Sequence, residues 1–182
     1  MLYGAKTRLR RIERSDIPTF VRWFGNPNVR RFLVINRPIS LAEEEKWFDR
    51  QLDNRNSELF GIETGEGKLI GNIALDDVNS TCRRAELGIV IGEPDYWGQG
   101  YGSDAIQTLL RFAFHELNLH RVQLWVYEDN ARGIRAYEKC GFRHEGRMRD
   151  GIYRQGRYSD MLLMGILRDE FEASLQAETP NG

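Results

Sequence analysis

"YWGQGYGSD", residues 96–104, joins a predicted strand to a predicted helix. The strand before it, residues 85–91, is short and apolar with one carboxylate, and apolar residues repeat at helical spacing from Ala105 to Leu117. Glycine lets the backbone approach a ligand and adopt positive φ, and the free N–H groups of a first helical turn favour an anion. The stretch therefore predicts a loop that binds a phosphate-bearing ligand.

The spacing of the glycines argues against two common phosphate sites. A P-loop requires lysine followed by serine or threonine directly after its last glycine, and Tyr101 follows Gly100 here. A dinucleotide fingerprint spaces its glycines as G-x-G-x-x-G, whereas Gly98, Gly100 and Gly102 alternate. Nucleotide hydrolysis and a dinucleotide-binding fold are disfavoured, and a tight turn with a helix cap remains an alternative for an isolated glycine loop.

A second segment, which begins about twenty residues after the glycine loop, helps to identify the kind of site. Apolar residues 122, 124 and 126 alternate with Gln, Trp and Tyr, which is typical of a strand. Asn130 suits the N-cap of the next helix, and Gly141 suits its end. The strand "AELGIVI", the glycine loop and the helix "NARGIRAYEKCGF", taken in order and spacing, resemble the GNAT superfamily of acyl-CoA-dependent N-acetyltransferases.

The resemblance extends over residues 7–171 and is greatest to the branch of ribosomal-protein N-terminal acetyltransferases and spermidine acetyltransferases. It implies an α/β fold with one mixed sheet, about seven strands with a splayed central pair, and about four helices. It also implies acetyl-CoA as co-substrate and no metal. One position departs from the family pattern, because Trp97 stands where Gln or Arg is expected, three residues before Gly100.

The resemblance assigns catalytic roles to Glu86 and Tyr137. Glu86 lies fourteen residues before Gly100, where many family members place the base that deprotonates the amine. An ion pair with Arg83 or Arg84, or a partly buried hydrogen-bonded carboxylate, is the structural alternative. Tyr137, seven residues after the helix cap, matches the family's general acid, and a core aromatic packed beside Ile134 is its alternative.

The cofactor site is also assigned by the resemblance. In the family, backbone N–H groups of the glycine loop bind the CoA pyrophosphate, and a splayed, bulged strand, here at residues 88–90, supplies the N–H group that stabilises the oxyanion. The cofactor-binding candidates are Ile89, Val90, Ile91, Trp97, Gly98, Gln99, Gly100, Tyr101, Gly102, Ser103, Asn130, Arg132, Ile134, Tyr137 and Lys139.

The acceptor is predicted to be a primary amine that attacks acetyl-CoA directly in a ternary complex, with a protein N-terminus or a small amine favoured. A spermidine- or spermine-type acceptor is an alternative, which the neutral segment 71–74 disfavours. Glutamates 43–45 with Asp76 and Asp77 are candidates for attracting a cationic amine, although helix solvation explains the glutamates equally well. The alternative to an enzyme is a regulatory module that binds CoA and is catalytically weak.

Composition places few further limits on function. The chain has 182 residues, 26 basic and 27 acidic, and its net charge of -1 predicts no attraction to nucleic acid or membrane. One domain over 1–182 is expected, with a core at 7–171 and a C-terminal tail at 172–182. Cys82 and Cys140 fit free thiols in the cytoplasm, and the three histidines lack metal-ligand spacing.

Local signals predict the remaining elements. A strand over 7–12 precedes a helix capped by Ser15 or Asp16, and a capping box at Ser40 begins a helix that runs to about Asn54. Strands flank a hairpin at residues 65–67, and two long strands occupy 142–167. The apolar run 161–167 needs cover on both faces, which predicts a homodimer through the last strands or an exposed sheet edge.

Overall fold

A computed structural model describes residues 1–178 and contains one eight-stranded sheet and six α-helices. The strands are β1 (Leu2–Tyr3), β2 (Thr7–Arg11), β3 (Glu58–Thr64), β4 (Leu69–Asn79), β5 (Arg84–Ile91), β6 (Arg121–Tyr127), β7 (Arg143–Arg154) and β8 (Arg157–Leu167). The helices are α1 (Ile17–Gly25), α2 (Pro27–Arg30), α3 (Leu41–Asp53), α4 (Tyr101–Arg111), α5 (Ala131–Lys139) and α6 (Arg168–Glu178). A π-helical turn, Phe112–Glu116, continues α4.

The predicted mixed sheet with a splayed central pair is confirmed. Its strand order is β1-β2-β3-β4-β5-β6-β8-β7, and only β5 and β6 run parallel. These two strands pair only where Arg84–Glu86 lies beside Arg121–Gln123, although they continue to Ile91 and Tyr127. The sheet therefore opens between the second halves of its two central strands.

The expected numbers of strands and helices were too low. The two-residue strand β1 and the four-residue helix α2 are too short to produce a periodic sequence pattern. Helix α6 occupies 168–178, so it includes most of the segment assigned to a C-terminal tail. Residues 179–182 of that tail lie outside the described residues.

Side-chain caps fix where the helices begin. The predicted capping box is present at α3, where the backbone N–H of Ser40 donates to Glu43 Oε2 at 2.9 Å. Asn130 Oδ1 accepts a hydrogen bond from the N–H of Gly133 at 3.0 Å, as expected for the cap of α5. Asp16 is the N-cap residue of α1, but its side chain makes no cap hydrogen bond there. Its carboxylate accepts hydrogen bonds from the guanidinium of Arg10 at 2.7 and 2.9 Å and from the N–H of Glu13 at 2.8 Å.

Two hydrophobic cores hold the elements together. The larger joins the sheet to α4, α5 and α6, and includes fully buried Ile73, Leu109 and Phe171. The smaller joins α1, α2 and α3 around Phe20 and Trp23. The opening in the sheet therefore lies between well-packed walls.

The apolar run 161–167 lies in β8, which is an interior strand. β8 pairs with β6 on one side and with β7 on the other, and its residues Met164 and Ile166 are fully buried. The edge strand on this side of the sheet is β7, most of whose residues are exposed. Much of the run is thus covered within one chain, and the homodimer stays a prediction. None of the described helices is both long and apolar enough to cross a membrane.

Candidate active site

A cleft of about 1150 Å³ lies where β5 and β6 diverge. One wall is formed by residues 86–91 of β5 and by the glycine loop, and another by the first turns of α5. The segment between α2 and α3 adds an apolar wall that includes Phe32, Leu33 and Ile35. The cleft is large enough for an extended cofactor together with an acceptor molecule.

The glycine loop has the backbone geometry of an anion site. Gly98 and Gly100 have φ values of 73° and 87°, in the left-handed region that favours glycine. Gly100 is the N-cap of α4, so the N–H groups that follow it have no partner within the helix. Gly102 is helical, and a Cβ built there would lie no closer than 3.8 Å to Ile91. The first two glycines are needed for backbone conformation, whereas the third position would accept a Cβ in ordinary contact with Ile91.

A contact that the sequence did not predict anchors this loop. The carboxylate of Asp104, in the first turn of α4, accepts hydrogen bonds from the N–H groups of Ala5, Lys6 and Thr7 at 2.8–3.0 Å. The hydroxyl of Thr7 also donates to it at 2.6 Å. Lys6 Nζ then donates to the carbonyl of Gln99 at 3.0 Å, which fixes the loop itself. No local pattern reveals such a contact, because its partners are almost a hundred residues apart.

Trp97, the departure from the family pattern, has a structural role. Its indole N–H donates to the carbonyl of Ile91 at 2.7 Å, so the ring is fixed at the end of β5. The guanidinium of Arg132, from the first turn of α5, lies 3.9 Å from the ring centroid. Burial lowers the pKa of Arg132, but an arginine remains charged at neutral pH. The stack places a cation at the cleft, close to the glycine loop.

Glu86 lines the cleft and is partly buried. Burial raises the pKa of Glu86; a hydrogen bond with the side chain of Gln123 opposes this change, and the nearby charges of Asp77 and Asp76 add to it. A raised pKa makes the ionised carboxylate a better proton acceptor. The environment of Glu86 therefore suits a general base.

The structure also decides between the structural alternatives for Glu86. Among the described residues Glu86 forms no ion pair, and Arg83 instead donates to the carbonyl and side chain of Asn118 at 2.7 and 2.8 Å. The hydrogen-bonded carboxylate, by contrast, is what the structure contains, through Gln123. This bond is compatible with catalysis because it orients the carboxylate.

Tyr137 lies at the base of the cleft and is 9% exposed. Burial raises its pKa to about 12, and the neighbouring thiol of Cys140 contributes to the shift. Its ring also packs edge-on against Phe142, with a centroid distance of 6.0 Å, so the core role foreseen for it is present as well. A hydroxyl with this pKa keeps its proton at neutral pH, and it is a weaker acid than an exposed tyrosine.

Residues 88–90 line the cleft beyond the last paired residues of β5 and β6. The expected bulge is not found there, because β5 keeps a continuous register with β4 from Glu86 to Ile91. The register between β4 and β5 shifts between Asp76 and Asn79 of β4, which lie beside the first residues of β5. The splay arises instead from the divergence of β6, which leaves one edge of β5 facing the cleft.

Twelve of the fifteen cofactor-binding candidates line the cleft. The exceptions are Gln99, whose side chain donates to the carbonyl of Asp95, Tyr101, whose ring packs against Tyr96 at 5.2 Å, and Ile134, which packs against the larger core. Arg135 and Asn72 line the cleft without having been predicted.

The acidic candidates for acceptor binding separate into different roles. Glu43 pairs with Arg37 at 2.6 Å, and this pair together with the Ser40 cap lowers its pKa to about 2. Glu44 is 4% exposed and lines the cleft, and burial raises its pKa to about 7. Asp76 also lines the cleft and accepts a hydrogen bond from Ser57 at 2.6 Å. Only a three-dimensional view distinguishes Glu44 from the glutamates on either side of it.

The histidines lie at the surface, where two of them pair with glutamates. His115 lies 2.8 Å from Glu172, and His144 lies 2.9 Å from Glu138. Within residues 1–178 no group of three or more His, Cys, Asp or Glu side chains is arranged to hold a metal ion.

Comparison with known proteins finds similar acetyltransferases. The model of the acetyltransferase (GNAT) domain family matches residues 6–143. A spermidine N(1)-acetyltransferase of Vibrio cholerae is 30% identical over 168 residues, which cover 92% of this chain and 96% of that enzyme. The putative ribosomal N-acetyltransferase YdaF of Bacillus subtilis is 34% identical over 119 residues, 64% of each chain.

A solved relative shows the same fold. The crystal structure of spermidine N-acetyltransferase from Vibrio cholerae in complex with CoA and spermine superposes with a TM-score of 0.87 at 29% identity. The match covers 93% of this chain and 99% of that one.

Proposed function

Because the chain belongs to the GNAT acetyltransferase family, we propose that it acetylates a small polyamine-like primary amine, with Glu86 as base and Tyr137 as acid. Transfer of an acetyl group from acetyl-CoA to a primary amine is the activity of this family. The proposal concerns the acceptor and the residues that carry the chemistry.

The observation that supports this acceptor is a set of carboxylates in one cleft. Glu44, Asp76 and Glu86 all line it, and none of them forms an ion pair within the described chain. Of the three, Glu44 is buried, Glu86 is partly buried and Asp76 is exposed. A buried carboxylate without a counter-charge is costly, so Glu44 and Glu86 favour a ligand that brings ammonium groups. The spermidine acetyltransferases among the relatives support a polyamine-like acceptor, which we therefore place ahead of a protein N-terminus.

The proposed reaction uses one proton acceptor and one proton donor. Glu86 takes a proton from the acceptor ammonium, and the freed amine forms the new N–C bond while the C–S bond of the thioester breaks. Tyr137 gives its proton to the departing sulfur, and its phenolate then takes the second proton from the nitrogen of the new amide. Glu86 returns to its ionised form by releasing its proton to solvent. The main-chain N–H groups after Gly98 and Gly100 hold the pyrophosphate and so place the thioester in the cleft.

An amine panel with detection of the released thiol tests the proposal. We expect spermidine, spermine and putrescine to release CoA faster than a peptide with a free N-terminus. Faster release with the peptide would assign the chain to protein N-termini. Tight acetyl-CoA binding without release in the presence of any amine would leave a CoA-binding regulatory module.

The role of Glu86 is tested separately through the pH dependence of the rate. In the wild type the rate should rise with pH as Glu86 ionises, above the ordinary range of a glutamate because its pKa is raised. Glu86→Gln should remove this rise, whereas Glu45→Gln, one residue beyond Glu44 on α3, should retain it. An unchanged profile in Glu86→Gln would show that another group is the base.

A further inference from the structure

A second cavity, of about 380 Å³, lies beside the cleft and is lined by four arginines. Arg30 comes from α2, Arg31 follows it, and Arg154 and Arg157 flank the turn between β7 and β8. We call it the arginine cavity. It shares Tyr127, the last residue of β6, with the cleft.

The charges of the arginine cavity are not balanced within the described chain. Asp129 is its only acidic lining residue. The Asp129 carboxylate lies 3.6 Å from Arg31 and 3.8 Å from Arg157, which is ion-pair range but too long for a hydrogen bond. Four guanidinium groups thus face one carboxylate, and their mutual repulsion favours the entry of an anion.

Buried polar atoms in the cavity wall have no partner. Arg30 Nε and Nη1 are buried and make no hydrogen bond to any described residue, and the same is true of the hydroxyl of Tyr127. A buried N–H or hydroxyl group without a hydrogen-bond partner costs free energy, because it has lost water and gained nothing in return. All three atoms belong to residues that line one cavity, and they are closed to solvent in this conformation. A ligand that accepts hydrogen bonds would satisfy them by drawing the side chains of Arg30 and Tyr127 toward it.

The wall of the cavity is held in place independently of any ligand. Arg154 donates to the carbonyls of Leu33 and Ile35, which ties the β7–β8 turn to the segment after α2. Ser159 and the exposed ring of Tyr153 complete the lining with a hydroxyl and a flat apolar surface. This combination suits a small organic anion rather than a bare ion, because the arginines would bind its charge and the ring would cover its body.

We propose that the arginine cavity binds a small organic anion through a carboxylate or phosphate group, with Arg30 and Tyr127 as its main donors. The anionic group has two sources. It belongs either to a separate molecule bound next to the cleft, or to the acceptor amine itself, which would then extend from the cleft past Tyr127 into the cavity. The inference goes beyond the proposed acceptor specificity, and binding in the cavity does not depend on acetyl transfer.

Calorimetric titration with inorganic phosphate and with succinate, at an ionic strength held constant with NaCl, measures binding directly. We expect saturable binding of at least one of them that persists when the protein is saturated with CoA. Arg30→Gln should weaken it by about tenfold or more, because charge-assisted hydrogen bonds are lost. Tyr127→Phe, which removes one hydroxyl and keeps the ring, should weaken it several-fold. Arg55→Gln, which removes an exposed arginine elsewhere, is the matched control.

A matched pair of amines distinguishes the two sources. L-Ornithine and putrescine differ only by a carboxylate, so their ratio of kcat/KM reports whether the acceptor carries the anion. If it does, ornithine is favoured by the wild type and Arg30→Gln lowers the ratio. If the anion is a separate molecule, the ratio is the same in both proteins and succinate or phosphate changes kcat/KM for putrescine.

Four results would overturn the proposal. The first is an absence of binding beyond that of chloride, and the second is binding that Arg30→Gln and Tyr127→Phe leave unchanged. The third is competition by CoA, which would make the anion a ligand of the cofactor site. Loss of a higher oligomer in Arg30→Gln without any anion binding would show that a second copy of the chain fills the cavity, and would also refute it.

Discussion

Replacing Glu44 by glutamine is expected to stabilise the protein at alkaline pH and to have little effect at acidic pH. Burial raises the pKa of Glu44 to about 7, against an ordinary value of 4.5 that applies to the unfolded chain. The folded state therefore binds the proton more tightly than the unfolded state does. The contribution of Glu44 to stability is therefore most favourable below pH 4.5, declines between pH 4.5 and about 7, and is least favourable above pH 7.

The size of this effect follows from the two pKa values. At about 1.4 kcal/mol per pH unit, the interval from 4.5 to about 7 corresponds to about 3 kcal/mol of lost stability. Glutamine has nearly the same shape and no charge, so Glu44→Gln should recover most of this amount above pH 7. At pH 4.5 the carboxylate of the folded protein is still protonated, and the gain should be below about 1 kcal/mol.

Urea denaturation of the wild type and Glu44→Gln at pH 4.5 and pH 8.5 measures both values. Glu45→Gln is the matched control, since it removes the neighbouring charge on the same helix and should give no comparable pH-dependent gain. Spermidine at saturating concentration should reduce the advantage of Glu44→Gln at pH 8.5, because a bound ammonium group would compensate the carboxylate. An equal gain at both pH values, or none at pH 8.5, would refute the assignment of Glu44 as a buried ionisable group.

Four further outcomes are expected. Gly100→Val should abolish acetyl-CoA binding in calorimetry, because φ at this position is 87°, whereas Gly65→Val, at an open position with ordinary φ, should bind normally. Tyr137→Phe should lower kcat by about 10²–10⁴-fold with unchanged acetyl-CoA affinity, and wild-type turnover would make the tyrosine structural. Asp104→Ala should lower the free energy of unfolding by about 2–5 kcal/mol in urea, because the buried N–H and hydroxyl of Thr7 lose their acceptor, and a change below 1 kcal/mol would contradict this. Light scattering at micromolar protein should give a dimer mass, and a monomer mass at all concentrations would exclude the dimer.

The sequence predicted most of the elements because their signals are local. The cap of α3 lies in four consecutive residues, and the cap of α5 depends on Asn130 alone. Alternation of apolar residues located β6, and the glycine loop together with α5 located the cleft. Each of these features depends on residues close in sequence, so one sequence is sufficient to find them.

Long-range contacts could not be predicted in this way. Asp104 lies 97 to 99 residues after the three N–H groups that donate to its carboxylate. Nothing in the sequence around Asp104 indicates these partners. The burial of Glu44 depends on the packing of α3 over the cleft, and its neighbours look the same in sequence. The arginine cavity assembles α2, the end of β6 and the β7–β8 turn, which are distant along the chain.

The divergence of β5 and β6 has a consequence for how the two halves of the chain hold together. Residues 2–91 supply five consecutive strands, residues 121–167 supply the other three, and only three residue pairs link the two groups in the sheet. A ligand that fills the gap contacts both groups at once. Acetyl-CoA should then act as an internal brace, and the melting temperature should rise steadily with its concentration.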